Sequence, residues 1–319
     1  MSHLQFIDGV YLSSFVNLKD RYDLAFRLAN NCLFMHNPEE ISDPSKIRFA
    51  LAWEPADDAF AAYPNLEMVA SIGAGIDNIL RCSSLPKNTI VTRVRDPDQA
   101  YEIAGFAVWQ VVWYQRNMIQ YFINQHNHRW HWVDRLLARE YTVGILGFGF
   151  MGQAIAKALV SLGFPVIAAC RQRQNRTNNL GVTLLSGPGS IRLTAMRSNI
   201  LINVLPLTTE TQFVLDSSLF AVMPEASVLI QLGRGEHLVE SDLMKALDNG
   251  QLSSATIDVF CCEPLPSEHR YWTDPRIMVT PHDASESNIS VVALQVTNSL
   301  CELAEGKVPS LAINRNLGY

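Results

Sequence analysis

No apolar run in this 319-residue chain approaches the roughly 20 residues that a membrane-spanning helix needs. No run of Lys and Arg stands out, and the net charge is −6, so bulk attraction to nucleic acid or an anionic membrane is not expected. Residues 1–10 lack the basic start and long apolar core of a secretory signal, which points to the cytoplasm. Cysteine occurs at 32, 82, 170, 261, 262 and 301, with no Cys-x-x-Cys spacing and no histidine pairing of the zinc-site kind. Cys261 and Cys262 are adjacent, too close for an unstrained bridge, so reduced thiols are expected. His126, His128 and His131 crowd one stretch, but no acidic or cysteine partner stands at a ligand spacing, and no metal is expected. Low-complexity segments and short tandem repeats are also missing.

What is present is an ordinary globular composition, 48% hydrophobic, with room for about two domains. The organising stretch is 141–159, YTVGILGFGFMGQAIAKAL. An apolar run at 142–146 reads as a buried strand. Gly147-Phe148-Gly149-Phe150-Met151-Gly152 follows at once, and a helical pattern then runs through Ile155, Ala156, Leu159 and Val160 towards Gly163. Strand, Gly-x-Gly-x-x-Gly and helix in that order are the context of the dinucleotide fingerprint. Gly147 permits the tight turn, Gly149 lets the pyrophosphate approach the backbone, and Gly152 lets the helix pack close to the strand. The helix N-terminus offers its unpaired amides to phosphate.

Around this stretch, strands are expected at 4–7, 47–53, 66–72 and from Ile90, the last closed by Asp96-Pro97, with a helix at 20–29. A single long helix is expected at 102–125. Further strands are expected at 165–170, 200–205, 227–232, 255–259 and 277–279, with a helix at 240–249. The alternation argues for an α/β chain built on two doubly wound parallel sheets. The strand at 165–170 ends in Cys170, where an NAD-binding fold carries the Asp or Glu that bonds the ribose 2′-hydroxyl. Arg171, Gln172 and Arg173 follow. Guanidiniums bind a 2′-phosphate, so NADPH is expected over NADH. Gly73-Ala74-Gly75, after the strand at 66–72, is a candidate anion loop.

Three groups stand at or just beyond strand ends: Arg234 in Gly-Arg-Gly, Glu263 in the segment after 255–259, and His282 after 277–279. Arginine can hold a 2-keto acid in a fork, and histidine is a proton donor near pH 7. A neighbouring carboxylate raises a histidine's pKa and fixes its tautomer. Together with a nicotinamide these supply every part of carbonyl reduction.

At these residues the chain resembles the D-isomer-specific 2-hydroxyacid dehydrogenases, in particular their glyoxylate/hydroxypyruvate reductase A branch. The motifs are IGAGIDNIL at 72–80, ILGFGFMGQAIA at 145–156, LPLTTET at 205–211, LGRGEHLVE at 232–240, DVFCCEPLP at 258–266 and TPHDAS at 280–285. The resemblance implies that Arg234 binds the substrate carboxylate and polarises its carbonyl, that His282 donates the proton, and that Glu263 orients it. It implies that Ala74 and Gly75, with Gly73, hold the substrate carboxylate and that Trp53 lines a pocket for small substrates. Leu205, Pro206, Thr211, Leu232 and Gly233 would flank the cofactor, and Asp258 would accept from its carboxamide. A Rossmann cofactor domain at 102–288 and a smaller, discontinuous flavodoxin-like substrate domain at 1–101 plus 289–319 are implied, as is a homodimer through the cofactor domains. Trp132 is a candidate to reach the partner's active site. Two positions depart from the family pattern and bear on substrate preference: Gln231, where asparagine is common, and Asp283, which would either tune His282 or face solvent. Two other functions fit the same motifs, a 3-phosphoglycerate dehydrogenase and a dinucleotide-sensing corepressor. The first would want more basic residues in the substrate domain. The intact Arg234, Glu263 and His282 favour catalysis over the second.

Overall fold

The computed structural model describes residues 7–29, 33–171, 180–315 and 317–318. In chain order the main elements are β1 (Ile7–Leu12), α1 (Leu18–Ala29), β2 (Leu33–His36), β3 (Phe49–Ala52), β4 (Met68–Ser71), α2 (Asp77–Leu80), β5 (Ile90–Thr92), α3 (Pro97–Gln115) and α4 (Met118–His126). They continue with β6 (Val143–Leu146), α5 (Phe150–Ser161), β7 (Val166–Cys170), β8 (Thr183–Ser186), α6 (Ser190–Ala195), β9 (Ile200–Asn203), α7 (Ser217–Phe220) and β10 (Ser227–Gln231). The chain closes with α8 (Glu240–Asp248), β11 (Leu252–Ile257), β12 (Ile277–Val279) and α9 (Ile289–Ala304). Two compact units result: Met1–Gln99 with Glu286–Tyr319, and Ala100–Ser285.

The first unit holds a five-stranded sheet in the order β2-β1-β3-β4-β5, all pairs parallel. This is the flavodoxin-like order. One face packs on Tyr22 and Phe26 of α1 and Val292, Val296 and Leu300 of α9; the other packs on Phe60, Ile76 and Ile79. Cover on both faces explains why these strands read as unbroken apolar runs. The first strand is described from Ile7 to Leu12; residues 4–6 of the expected strand lie outside the described residues. Gly9 sits inside β1 because a Cβ there would lie 2.4 Å from Met35 Sδ and 2.7 Å from Phe49 Cδ1.

The second unit holds a seven-stranded sheet in the order β12-β11-β10-β9-β6-β7-β8, again parallel throughout. From β6 the chain steps outward through β7 and β8, then returns to the other side of β6 as β9. Strand order therefore reverses between β6 and β9, and the crevice outside their C-terminal ends is where open α/β sheets take ligands. α5 buries Ile155, Ala156 and Leu159 on one stripe and exposes Lys157 and Ser161. Burying the Leu159 side chain alone is worth about 1.5–3 kcal/mol. Gly163, at φ +85°, follows the end of this helix.

One expected element differs from what forms, and two strands form that were not expected. The stretch expected as one helix at 102–125 is two, α3 and α4, and it starts earlier. Pro97 opens α3 at the position where a missing amide hydrogen costs nothing, and Asp96 Oδ1 accepts from the Asp98 amide at 2.9 Å. Asn117, at φ 50° and ψ 51°, breaks the run; asparagine is among the few residues that take this left-handed conformation readily. Strands β2 and β8 had no expected counterpart. Both lie at sheet edges with half-exposed patterns, so neither carries the solid apolar run of the central strands. Among the described residues no helix is long and apolar enough to cross a membrane.

Candidate active site

The glycine loop leaves β6 at the reversal point. Gly147 has φ +100°, and a Cβ on it would lie 2.8 Å from the Val204 carbonyl oxygen and 3.2 Å from the Leu205 nitrogen. The turn is thus pressed against the segment that follows β9. A Cβ on Gly152 would lie 2.0 Å from the Gly147 carbonyl oxygen, so α5 packs close only because that position is glycine. Gly149 differs: a Cβ there would meet nothing within 4 Å. No side chain caps α5 at Gly149. Open space above Gly149 and a helix start without a side-chain cap fit a dinucleotide pyrophosphate.

Phe148 and Met151 are half-buried against the core beneath the loop, whereas Phe150 is exposed. At the end of β7, Arg171 is exposed with its guanidinium 3.7 Å from the Glu210 carboxylate. Arg173 lies outside the described residues. Beyond β9, Thr211 Oγ1 donates to the Pro206 carbonyl at 2.7 Å and accepts from the Thr208 amide at 2.9 Å, folding 206–211 into a closed loop. Leu205 and Pro206 are half-buried at its base, and Leu232 is buried at the end of β10.

The reactive groups come from the ends of three neighbouring strands. Arg234 follows β10 and is half-buried, with Nη1 donating to the Gly233 carbonyl at 2.8 Å. A Cβ on Gly235 would lie 2.0 Å from the carbonyl carbon of Phe260, so the arginine turn lies directly on the segment carrying Glu263. Glu263 Oε1 accepts from the Phe260 amide at 2.9 Å, and Oε2 is 2.9 Å from His282 Nδ1. Burial pushes the Glu263 carboxyl up, but the His282 hydrogen bond and charge, the Phe260 amide and the Arg234 charge outweigh it and hold it below the usual glutamate range. His282 Nδ1 is engaged by the carboxylate, so Nε2 is the nitrogen left for a substrate.

His282 itself has φ +54°, a conformation rare for a residue with a Cβ. Asp258 pays for it. Its backbone carbonyl accepts the His282 amide at 2.8 Å. Its carboxylate accepts from Thr280 Oγ1 at 2.6 Å, the Asp283 amide at 2.9 Å and the Ala284 amide at 3.2 Å. Asp258 is 1% exposed, and its carboxylate shapes the histidine loop. Asp283 is exposed, the second of its two expected orientations. Gln231 is fully buried: Nε2 donates to the Arg234 carbonyl at 2.8 Å and Oε1 accepts from Asn203 Nδ2 at 2.7 Å. His237, also fully buried, was not singled out in the sequence; its Nδ1 accepts the Arg234 amide at 3.0 Å.

In the other unit, the loop after β4 has Gly73 buried, with its amide donating to Ser71 Oγ at 3.2 Å. Ser71 Oγ donates in turn to the Gly75 carbonyl at 2.7 Å. Trp53 lies over Gly73, where a Cβ would come within 3.3 Å of the indole. Among the described residues no protein acceptor takes the amides of Ala74 and Gly75. No cluster of three His, Cys, Asp or Glu side chains able to hold a metal ion occurs among the described residues.

A glycine loop at the reversal point of a parallel sheet, with an Arg and a Glu–His pair at the C-terminal ends of β10, β11 and β12 in the same sheet, defines a dinucleotide-dependent oxidoreductase. The family described as "D-isomer specific 2-hydroxyacid dehydrogenase, NAD binding domain" matches residues 108–284. Glyoxylate/hydroxypyruvate reductase A of Serratia proteamaculans is 34% identical over 276 residues, 85% of this chain and 87% of that protein. The chain belongs to the D-isomer specific 2-hydroxyacid dehydrogenases. Solved structures agree over nearly the whole length. A D-isomer specific 2-hydroxyacid dehydrogenase from Xanthobacter autotrophicus Py2, in complex with NADPH and MES, has a TM-score of 0.91 at 30% identity, covering 99% of this chain and 100% of that one. The NADPH-dependent glyoxylate/hydroxypyruvate reductase of Sinorhizobium meliloti, in complex with NADP and sulfate, has a TM-score of 0.90 at 29% identity, covering 98% and 100%.

Proposed function

We propose that the protein reduces a small 2-keto acid of the glyoxylate or hydroxypyruvate type to the 2-hydroxy acid, using NADPH. The observation that carries the reading is the Glu263–His282 pair at 2.9 Å beside the Arg234 turn, at strand ends of the same parallel sheet as the glycine loop. The relatives named above support it. A reduced nicotinamide bound at that loop supplies the hydride. Arg234 binds the carboxylate and draws electron density from the carbonyl. Glu263 holds the imidazole so that the Nε2 proton is delivered to the carbonyl oxygen as negative charge develops there. Within the first unit, the untaken amides of Ala74 and Gly75 make that loop a candidate carboxylate-binding loop, with Trp53 beside it as the candidate residue limiting substrate size.

Preference for NADPH is supported by Cys170 at the end of β7, where no carboxylate stands to repel a 2′-phosphate, and by the exposed Arg171. A homodimer through the cofactor unit is supported by exposed apolar side chains on α3 and α4, among them Trp109, Ile119 and Phe122. Trp132, 78% exposed, is the candidate to reach the partner's site. A cytoplasmic location is in keeping with the free thiols of Cys82, Cys170, Cys261, Cys262 and Cys301. NADPH oxidation measured across a panel of 2-keto acids tests the reading. Turnover is expected with glyoxylate and hydroxypyruvate and little with phosphohydroxypyruvate. No turnover with any member, or a clear preference for the phosphorylated substrate, would overturn it.

A further inference from the structure

We propose that Asn203, Gln231 and His237 form a buried, neutral clamp that fixes the Arg234 turn and the Leu205-Pro206 segment in a single register. All three are fully buried. β9 is apolar from Ile200 to Ile202 and β10 from Val228 to Ile230, and each ends on a polar residue, Asn203 and Gln231. Asn203 Nδ2 donates to both Gln231 Oε1 at 2.7 Å and His237 Nδ1 at 2.9 Å. Two donors converge on His237 Nδ1, since the Arg234 amide also reaches it at 3.0 Å. That nitrogen is therefore the acceptor, and the ring proton sits on Nε2, which donates to the Pro206 carbonyl at 3.3 Å.

The clamp grips both sides. On the arginine turn it takes the Arg234 amide through His237 and the Arg234 carbonyl through Gln231 Nε2 at 2.8 Å. On the other side it takes the Leu205 amide through Asn203 Oδ1 at 3.2 Å and the Pro206 carbonyl through His237. Leu205 in turn abuts the Gly147 turn. Residue 233 must be glycine for the clamp to close, since a Cβ there would lie 2.7 Å from His237 Nδ1 and 2.8 Å from Asn203 Nδ2. Buried polar groups are a poor source of stability compared with well-packed apolar ones, but a fully bonded network specifies one geometry. These side chains act as positioning residues, through Arg234 and the Leu205-Pro206 segment.

The inference rests on the reading of Arg234 as the keto-acid ligand and of the glycine loop as the dinucleotide site. Two substitutions separate the two grips. His237→Asn keeps an acceptor near the Nδ1 position and is too short to reach Pro206. His237→Gln keeps a donor near the Nε2 position and leaves the Arg234 amide without its acceptor. With the full-length protein, NADPH affinity is measured by direct binding and the keto-acid KM by steady-state turnover. For His237→Asn a weakening of NADPH binding by about 5–10-fold is expected with keto-acid KM near wild type, the effect of one hydrogen bond. For His237→Gln the reverse is expected: KM for glyoxylate up by about 5–10-fold and NADPH affinity near wild type. Parallel changes of the same size in both constants, or no change in either, would overturn the clamp. A wild-type protein that binds no NADPH or reduces no keto acid would instead overturn the functional reading beneath it.

Discussion

Replacing Asp258 by asparagine keeps the shape of a side chain that is 1% exposed and removes one of its acceptors. The carboxylate now accepts from Thr280 Oγ1, the Asp283 amide and the Ala284 amide. An asparagine oxygen in the Oδ1 position keeps the first two and turns an NH2 towards the Ala284 amide. One hydrogen bond to a charged group is lost, at about 1.5–3 kcal/mol. Burial works the other way. It raises the Asp258 carboxyl despite its three donors and the charge of His282, so ionisation costs the folded state. That cost is absent below the ordinary aspartate range and sets in as pH rises through the raised value. Asparagine escapes it, so the net loss at neutral pH should be only about 1 kcal/mol, roughly 2–4 °C in Tm. Activity should suffer more. The lost bond lies two residues past His282, whose φ of +54° is strained by about 1–3 kcal/mol and is sustained by this loop. We expect kcat for glyoxylate to fall at least about tenfold, as expected for a displacement of the proton donor. Calorimetry with steady-state assay measures both. A kcat within about twofold of wild type would refute Asp258 as the anchor of the histidine.

The remaining expectations concern the same site. His282→Asn should lower kcat by about 10²–10⁴-fold with NADPH binding near wild type; retention of full turnover would move the proton donor elsewhere. Glu263 is held below the usual glutamate range, so its carboxylate is fully ionised above that range and is lost as an acceptor for His282 as pH falls through the lowered value. The acid limb of the kcat profile should therefore lie below the ordinary glutamate range and disappear in Glu263→Gln, whose kcat is lower throughout; an acid limb unchanged by the substitution contradicts the assignment. Arg171→Ala should cost NADPH binding about 1.5–3 kcal/mol and spare NADH. An unchanged NADPH/NADH ratio would remove Arg171 from the 2′-phosphate site.

The glycine loop and the strand-end Arg, Glu and His were legible in the sequence because their signals are local. A tight turn needs glycine at a fixed offset from a strand, and charged residues stand out against apolar runs. The central strands were legible for the same reason, whereas β2 and β8 were not, since exposed residues interrupt their apolar pattern. The break at Asn117 was hidden because helical periodicity continues on both sides of it. The Asn203, Gln231 and His237 cluster had no local signal at all. Each is a neutral polar residue at the end of a strand or in a turn, and only the β9–β10 pairing and the following turn bring them together. Gln231 looked like a substrate-related departure from a family pattern. Its side chain points instead into the protein, against Asn203 and the Arg234 carbonyl.

The close approach at Gly235 sets a boundary for anyone redesigning this enzyme. Saturation libraries aimed at the arginine turn will return almost no functional clones at positions 233 and 235, because any added atom strikes fixed polar atoms or the Phe260 backbone. Diversity introduced there is lost to misfolding before selection can act on it. A campaign for altered substrate range does better to leave the turn intact and randomise the half-buried Trp53 and the exposed ends of neighbouring loops, where new side chains have somewhere to go.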